Sequence, residues 1–239
     1  MKFPAITGII DRRILVNFIA DPTAIAKILP PPFKPKLFNG NAIAGICLIR
    51  LKRVRPQQLP AFLGISSENG AHRIAVEWME DNILKEGVYI PRRDTSSWFN
   101  HFVGGRVFPG KHMLAKFDVR ESGNSYKVAF KSSDNISLQV EGRTTDNFSP
   151  TSVFENLGTA SRFFERGAIG YSPNGNKYDG LELRTHNWKV TPLDVSHVQS
   201  SFFENEILFP KGAVQFDHAL LMRDIQHEWH TATDICQTS

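Results

Sequence analysis

The feature that most constrains this fold is a run of three consecutive segments, within residues 113–143, in which apolar and polar residues alternate. In the first segment the apolar positions are Met113, Ala115, Phe117 and Val119. Short polar turns at residues 121–124 and 133–135 separate the segments. A period of two is typical of strands with one buried and one solvated face. The stretch therefore predicts a three-stranded antiparallel meander.

Similar patterns predict further strands and a few helices. The other strand candidates are residues 13–19, 41–54, 72–79, 87–90, 181–190 and 214–222. The helix candidates are residues 21–29, 94–103, 151–166 and 196–205. Asp21 followed by Pro22 is a good helix start, and Ser152 with Glu155 has the spacing of a capping box. Together, these strands and helices predict a β-rich protein of the α+β class. Its mostly antiparallel strands are expected to form a barrel or curved sheet with the helices packed outside.

Composition narrows the function classes. The net charge is only +4, and the basic residues are scattered, so nothing resembles the concentrated basic stripe of a nucleic-acid-binding protein. Only Cys47 and Cys236 are present, without a CxxC pair, and Cys47 lies in an apolar run that indicates core. We find no metal-ligand spacing around His227 and His230, and no cofactor fingerprint. The chain is therefore expected to use neither a metal nor a cofactor.

The organisation of the chain is expected to be simple. No linker-like tract divides it, so residues 1–239 are predicted to form a single domain. No apolar stretch reaches the length of a membrane span, and no signal peptide is visible at the start. We expect a cytoplasmic protein without membrane or nucleic-acid partners, with a small molecule as its partner; homo-oligomer formation is left open.

The order of these segments resembles the bacterial YqjF-like family of uncharacterised proteins, which is grouped with the acetoacetate-decarboxylase-like fold. The segments that carry the resemblance are residues 24–30, 87–90, 94–97, 105–109, 165–166, 170–171, 186–188 and 217–219. The resemblance implies a conical β-barrel with surrounding helices and an internal pocket. This agrees with the strand-rich class reached from the alternation alone.

Acetoacetate decarboxylases form a Schiff base through a lysine whose pKa is lowered by desolvation and a neighbouring cation. Their motif is Gly-Phe-Pro followed by two lysines, and the matching stretch here is residues 107–111. The resemblance implies that Gly110 takes the place of the Schiff-base lysine and that Lys111 matches the second lysine. It also implies that Glu77 is the acidic partner. The lysine pair is therefore broken, which argues against decarboxylation.

Five residues emerge as candidates for the site. Continuing the strand alternation backwards from Met113 places Lys111 on the buried face; the alternative is that it points to water. Arg73 and Glu77 share one face of a strand, roughly 13 Å apart, so they cannot pair directly. Arg73 and Arg106 are candidate carboxylate clamps, because a guanidinium holds a carboxylate with two parallel bonds.

His218 follows Asp217 in an apolar segment and is a candidate ligand-binding residue. A core histidine that hydrogen-bonds a neighbouring strand is the competing interpretation. Two functions stay open. In the first, the protein binds a small carboxylic or keto acid in the barrel pocket, with Lys111 and Glu77 as the catalytic candidates. In the second, it is a non-catalytic binding protein for a hydrophobic ligand or a protein partner.

Overall fold

The computed structural model describes residues 5–98 and 110–236. Its strands are β1 (Ile6–Ala20), β2 (Lys34–Pro35), β3 (Leu37–Phe38), β4 (Asn41–Pro56), β5 (Ile65–Glu80), β6 (Ile83–Thr95), β7 (His112–Ser122), β8 (Ser125–Ser132), β9 (Ser137–Thr144), β10 (Ile169–Asn174), β11 (Lys177–Thr185), β12 (Thr191–Ser200) and β13 (Val214–Cys236). The α-helices α1 (Pro22–Ile28) and α2 (Leu157–Arg166) and a 3₁₀ turn (Ala61–Leu63) accompany these strands.

All these strands belong to one curved, mixed sheet. The pairings β5–β6 and β11–β13 close the sheet on itself. One circuit passes from β6 through β7, β8, β9 and β12 to β13, and another passes from β6 through β10 and β11 to β13; both return through β1, β4 and β5. The pairs β6–β7 and β6–β10 are parallel, and the remaining pairs are antiparallel. The predicted β-rich α+β class is confirmed, although the branched sheet is not a strict barrel.

The alternating segments form the meander that the sequence predicts, as β7, β8 and β9 with antiparallel pairing. Helix α1 also begins as predicted: the Asp21 side chain accepts a hydrogen bond from the Ala24 amide at 2.8 Å. Local sequence signals suffice in both cases, because the turn residues and the cap determine where these elements begin and end.

Three helix predictions need correction. Residues 196–205 do not form a helix, since residues 196–200 lie in β12 and His197 to Ser200 pair with β9. Helix α2 begins at Leu157 and not at residue 151; Asn156 caps it by accepting from the Thr159 amide at 2.9 Å. For the helix predicted over residues 94–103 only the start is corrected: Asp94 and Thr95 end β6, Trp98 is helical, and residues 99–103 lie outside the described residues. Tertiary pairing overrides weak capping signals at these places.

Strands β1, β4 and β5 are covered on both faces. One face contributes alternate residues such as Ile14, Val16, Ile46 and Leu48 to the larger apolar core. The opposite face contributes Leu15, Cys47, Ala71 and Ala75 to a second core, which α2 covers with Ala160 and Phe164. No helix among the described residues is both long and apolar enough to cross a membrane. The second core is where the candidate site lies.

Candidate functional site

A cavity of about 100 Å³ lies between α2 and the second face of β1, β4 and β5. Its apolar walls come from Ile10, Leu15, Ile49, Ala71, Val88, Ile90, Phe163, Phe164, Leu181, Leu183 and Trp229. Ile10 reaches this face because the pairing of β1 with β4 shifts register between Ile10 and Arg12. A β-bulge of this kind changes which residues of a strand point to a given face. The bulge therefore sets the composition of the cavity.

Four cationic side chains also line the cavity: Arg13, Lys36, Arg73 and Arg93. Among the described lining residues there is no aspartate or glutamate. Lys36 is neutralised from outside the lining, since its Nζ lies 2.5 Å from Glu86 Oε2. The three arginines have no acidic partner in the cavity, although buried charges are normally paired. The cavity therefore has an excess of positive charge.

Arg73 is the most buried of these arginines, with 5 % of its surface exposed. It donates through Nη2 to Asn17 Oδ1, and its guanidinium lies over the Phe164 ring at 4.8 Å. Its Nε has no hydrogen-bond partner. Gly45 makes room for this arrangement, because a Cβ there would lie 2.5 Å from the Val16 carbonyl oxygen and 3.4 Å from Arg73 Nη2. Burial lowers the pKa of Arg73, which remains a cation at neutral pH.

Arg13 and Cys47 meet on the floor of the cavity. Arg13 Nη2 lies 3.5 Å from Cys47 Sγ, while its Nε and Nη1 are buried without hydrogen-bond partners. Burial alone raises the pKa of the Cys47 thiol, but the charges of Arg13 and Arg73 outweigh burial and the pKa is lowered. The thiolate is thus stabilised by the same guanidinium groups that line the cavity.

Arg93 lies on the wall formed by β6. Its Nε donates to Ser172 Oγ at 3.2 Å. Burial lowers its pKa to about 10, against the attraction of Cys47. A cation held in a position that disfavours its charge is stabilised by any anion that enters.

A buried polar chain orients Arg73 from behind. Because Arg73 donates to Asn17 Oδ1, the Asn17 amide nitrogen faces His218 Nε2 at 3.0 Å and donates to it. The ring proton of His218 then lies on Nδ1, which donates to Asp217 Oδ2 at 2.5 Å. Ser152 Oγ also donates to Asp217 Oδ2, at 2.6 Å. With both ring nitrogens engaged, His218 positions Asn17 and Arg73 and does not face the cavity.

Burial lowers the pKa of His218 and outweighs the attraction of Asp217, so the ring is neutral at pH 7. Three phenylalanine rings surround it: Phe148, Phe154 and Phe164. His218 therefore fits the core-histidine interpretation, with the added task of orienting a cavity residue. Ser152, predicted as part of a helix cap, serves this polar chain instead.

The structure separates the predicted site residues. Arg73 lines the cavity as a clamp would. Lys111 is exposed just before β7 and is not among the cavity residues, which matches the alternative that it points to water. Glu77 is half-buried outside the cavity, opposite Glu86 in β6 and Lys34 in β2. Arg106 lies outside the described residues.

Sequence reasoning missed Arg13, Arg93, Asn17 and the role of Cys47. The available signal was a charged or polar residue at alternate positions of an otherwise apolar strand, as in Arg13 and Asn17 around Leu15. Cys47 is indeed buried, but it lies at the cavity and not in a closed core. No cluster of three or more metal-ligating side chains occurs in residues 5–98 and 110–236.

A family model described as an uncharacterized conserved protein matches residues 10–222. No curated protein matches the sequence. Among solved structures, acetoacetate decarboxylase from Legionella pneumophila is similar with a TM-score of 0.63 and 12 % identity, covering 97 % of this chain and 88 % of that one. An acetoacetate decarboxylase-like enzyme from Sphingomonas wittichii RW1 has a TM-score of 0.61 and 9 % identity, covering 99 % and 94 %.

The enduracididine biosynthesis enzyme MppR complexed with pyruvate is also similar, with a TM-score of 0.58 and 9 % identity, covering 98 % of this chain and 90 % of that one. At these identities the likeness shows the fold alone. The acetoacetate-decarboxylase-like fold that the sequence resemblance implies is confirmed.

Proposed function

The chain belongs to the DUF2071 family, and from its cavity we propose that it binds a small organic acid, with the carboxylate held by Arg73 and Arg13. One observation carries the proposal: three arginines line the cavity, and no acidic residue among its described lining residues pairs with them. The unpartnered donors, Nε of Arg73 and Nε and Nη1 of Arg13, suit a carboxylate, which accepts several hydrogen bonds at once.

The size of the cavity restricts the ligand. An apolar cavity of about 150 Å³ accommodates the six carbon atoms of benzene, so about 100 Å³ limits the ligand to at most about six non-hydrogen atoms. The apolar walls formed by Val88, Ile90 and Phe164 then contact its short carbon chain. Pyruvate has this size, and the similar enzyme MppR is seen with pyruvate, which supports the same ligand class here.

Lysine chemistry is not part of this proposal. Lys36 is the lysine among the described lining residues, and it is ion-paired with Glu86 and lies over the Phe163 ring at 4.5 Å. Lys111 and Glu77 are not among the residues that line the cavity, so the catalytic roles considered for them are not carried forward.

Calorimetric titration of the protein with propionate, pyruvate and the neutral analogue acetone tests the proposal. We expect the two carboxylates to bind and acetone to bind far more weakly. Since a hydrogen bond to a charged group contributes about 1.5–3 kcal/mol, Arg73→Met should weaken carboxylate binding about tenfold to a hundredfold.

Arg184→Met is the matched control, because Arg184 is exposed and pairs with Glu182 on the surface; it should leave binding unchanged. Equal binding of acetone and the acids would reject the carboxylate site and favour the hydrophobic-ligand alternative. Absence of binding by all three compounds would reject both functions for compounds of this size.

A further inference from the structure

Cys47 lies in the cavity beside the groups that are expected to hold a carboxylate. In β4 it is paired with Leu15 of β1 on one side and Ala71 of β5 on the other, and its exposed fraction is 4 %. Its Sγ accepts from Arg13 Nη2 at 3.5 Å, and both side chains line the cavity. A sulfur in this position is close to any anion that Arg13 binds.

An independent observation indicates a ligand next to this sulfur. Arg73 is buried, lines the same cavity and keeps its Nε without a hydrogen-bond partner. Two further nitrogens of Arg13 are buried without partners. A buried donor without a hydrogen-bond partner is unfavourable, so these donors are suited to an anionic ligand bound beside the sulfur.

We propose that Cys47 is a nucleophile that adds reversibly to the ketone carbon of a bound 2-oxo acid, an inference that rests on the carboxylate site proposed above. In a cavity of about 100 Å³ the reacting carbon must be close to the carboxylate. In a 2-oxo acid the ketone carbon is bonded directly to the carboxylate carbon. A carboxylate on Arg13 and Arg73 therefore brings this carbon to Cys47.

The addition is balanced without an oxidant or reductant. The thiol first loses its proton to water. The thiolate electron pair forms the S–C bond, the C=O π bond breaks, and its electron pair moves to the oxygen. That alkoxide takes a proton from water, so thiol and 2-oxo acid give a hemithioketal with no net change in protons.

The electrostatics of the cavity favour both the attacking thiolate and the alkoxide that forms on the ketone oxygen. The charges of Arg13 and Arg73 lower the pKa of Cys47 despite its burial, which increases the thiolate fraction. The same positive charge stabilises the alkoxide that develops on the ketone oxygen. Three arginines are sufficient to balance the carboxylate and this second negative charge.

Competitive alkylation gives a direct test, because the chain carries its own control in the exposed Cys236. Iodoacetate resembles a 2-oxo acid in having its electrophilic carbon next to a carboxylate, whereas iodoacetamide is neutral. Labelling is quantified by peptide mass spectrometry. We expect the ratio of Cys47 to Cys236 labelling to be about tenfold higher with iodoacetate, since one charge-assisted contact contributes about 1.5 kcal/mol.

Arg13→Met should lower this preference, and Arg184→Met should not. If Cys47 stays unlabelled by both reagents while Cys236 is fully modified, the proposed nucleophile is rejected. The nucleophile is also rejected if Cys47 reacts with the two reagents in the same ratio as Cys236.

Carbon NMR of [2-¹³C]pyruvate with the protein tests the adduct itself. We expect a tetrahedral-carbon resonance that persists in Cys236→Ser and disappears in Cys47→Ala. If pyruvate binds wild type and Cys47→Ala equally, with only the trigonal carbon observed, the nucleophile is wrong and the carboxylate site stands. If neither protein binds pyruvate or propionate, the proposed function itself fails.

Discussion

Arg12 and Arg13 are neighbours in β1, and their guanidinium groups lie on opposite faces of the sheet. Arg12 is completely buried and donates to Glu68 at 2.5 Å and to Glu121 at 2.7 Å. Arg13 faces the cavity, where it contacts the thiol of Cys47, its guanidinium lies 5.7 Å from the centre of the Trp188 ring, and two of its nitrogens have no hydrogen-bond partner. Arg12 also keeps a buried Nε without a hydrogen-bond partner, so the difference between the two residues lies in ion pairing: Arg12 has two carboxylate partners, and Arg13 has none among the described residues.

The difference separates a structural ion network from a binding site. Around Arg12, the carboxylates of Glu68 and Glu121 are shared with Arg50, and Asp11 pairs with Lys52 at 2.6 Å, so each charge has a partner. Around Arg13, the cations have no acidic partner among the described cavity residues. A paired network stabilises the fold when it is complete, whereas unpaired cations raise the affinity for an external anion.

The largest expected effect is on the free energy of unfolding, through the ion network around Arg12. Arg12→Met removes the buried cation that Glu68 and Glu121 share, and breaking a buried pair costs about 3–5 kcal/mol. Because Arg50 still contacts both glutamates, we expect a loss of about 3 kcal/mol in the free energy of unfolding. Urea denaturation followed by tryptophan fluorescence measures it. A loss no larger than that of Arg184→Met would contradict the assignment of a structural network.

The second largest expected effect is the pH dependence of stability that arises from His227. Burial, aided by the charge of Arg13, lowers the pKa of His227 to about 4. The unfolded chain takes up this proton below about pH 6.5 and the folded chain does not, so stability falls as pH falls. From pH 7.5 to pH 5 this one ring should account for about 2 kcal/mol.

Denaturation of wild type and His227→Gln at pH 7.5 and pH 5 measures this contribution. Gln cannot take up a proton in this range, so the variant should lose about 2 kcal/mol less than wild type between the two values. Buried His72, whose pKa is lowered to about 3, and Asp94, whose pKa is raised to about 6, titrate in both proteins and cancel in the difference. If wild type and His227→Gln lost the same stability between the two pH values, folding would not lower the pKa of His227.

The smallest expected effect is that of Arg73→Met on the ligand-free protein. The variant leaves Asn17 Oδ1 without its donor but removes an unpaired, desolvated charge, so the two changes offset each other. We expect a change in unfolding free energy within about 1 kcal/mol. At a fixed pyruvate concentration, the stabilisation seen in thermal denaturation should nevertheless be smaller than in wild type, in line with the roughly tenfold to hundredfold weaker binding. A loss of unfolding free energy as large as that of Arg12→Met would show that Arg73 stabilises the fold as Arg12 does. The proposed difference between the ion network and the cavity would then be wrong.

Much of the fold could be predicted from local patterns. The meander of β7, β8 and β9 and the start of α1 depend on alternation, turns and a cap, which act over a few residues. The strand at residues 196–200 could not be predicted in this way, because its pairing with β9 depends on residues more than fifty positions away. Among the predicted site residues, Arg73 was proposed because a guanidinium suits a carboxylate, and the structure places it at the cavity.

The site as a whole required the tertiary structure. Lys111 was placed by extending the alternation of β7 beyond the end of the strand, where the backbone no longer holds a side chain to one face. Cys47 and Arg13 were missed as a pair because they lie on different strands and meet only through the register of β1 with β4.

By itself, the sequence determined a β-rich α+β sheet with a closed apolar interior, and it determined that Arg12 and Arg13 point to opposite faces. Which of the two reaches carboxylates and which reaches an apolar cavity was decided by the tertiary structure. The physical reason lies in the bulge between Ile10 and Arg12 and the placement of α2 over one face. A shift of one residue in a strand exchanges its two faces, and alternation alone does not reveal where such a shift occurs.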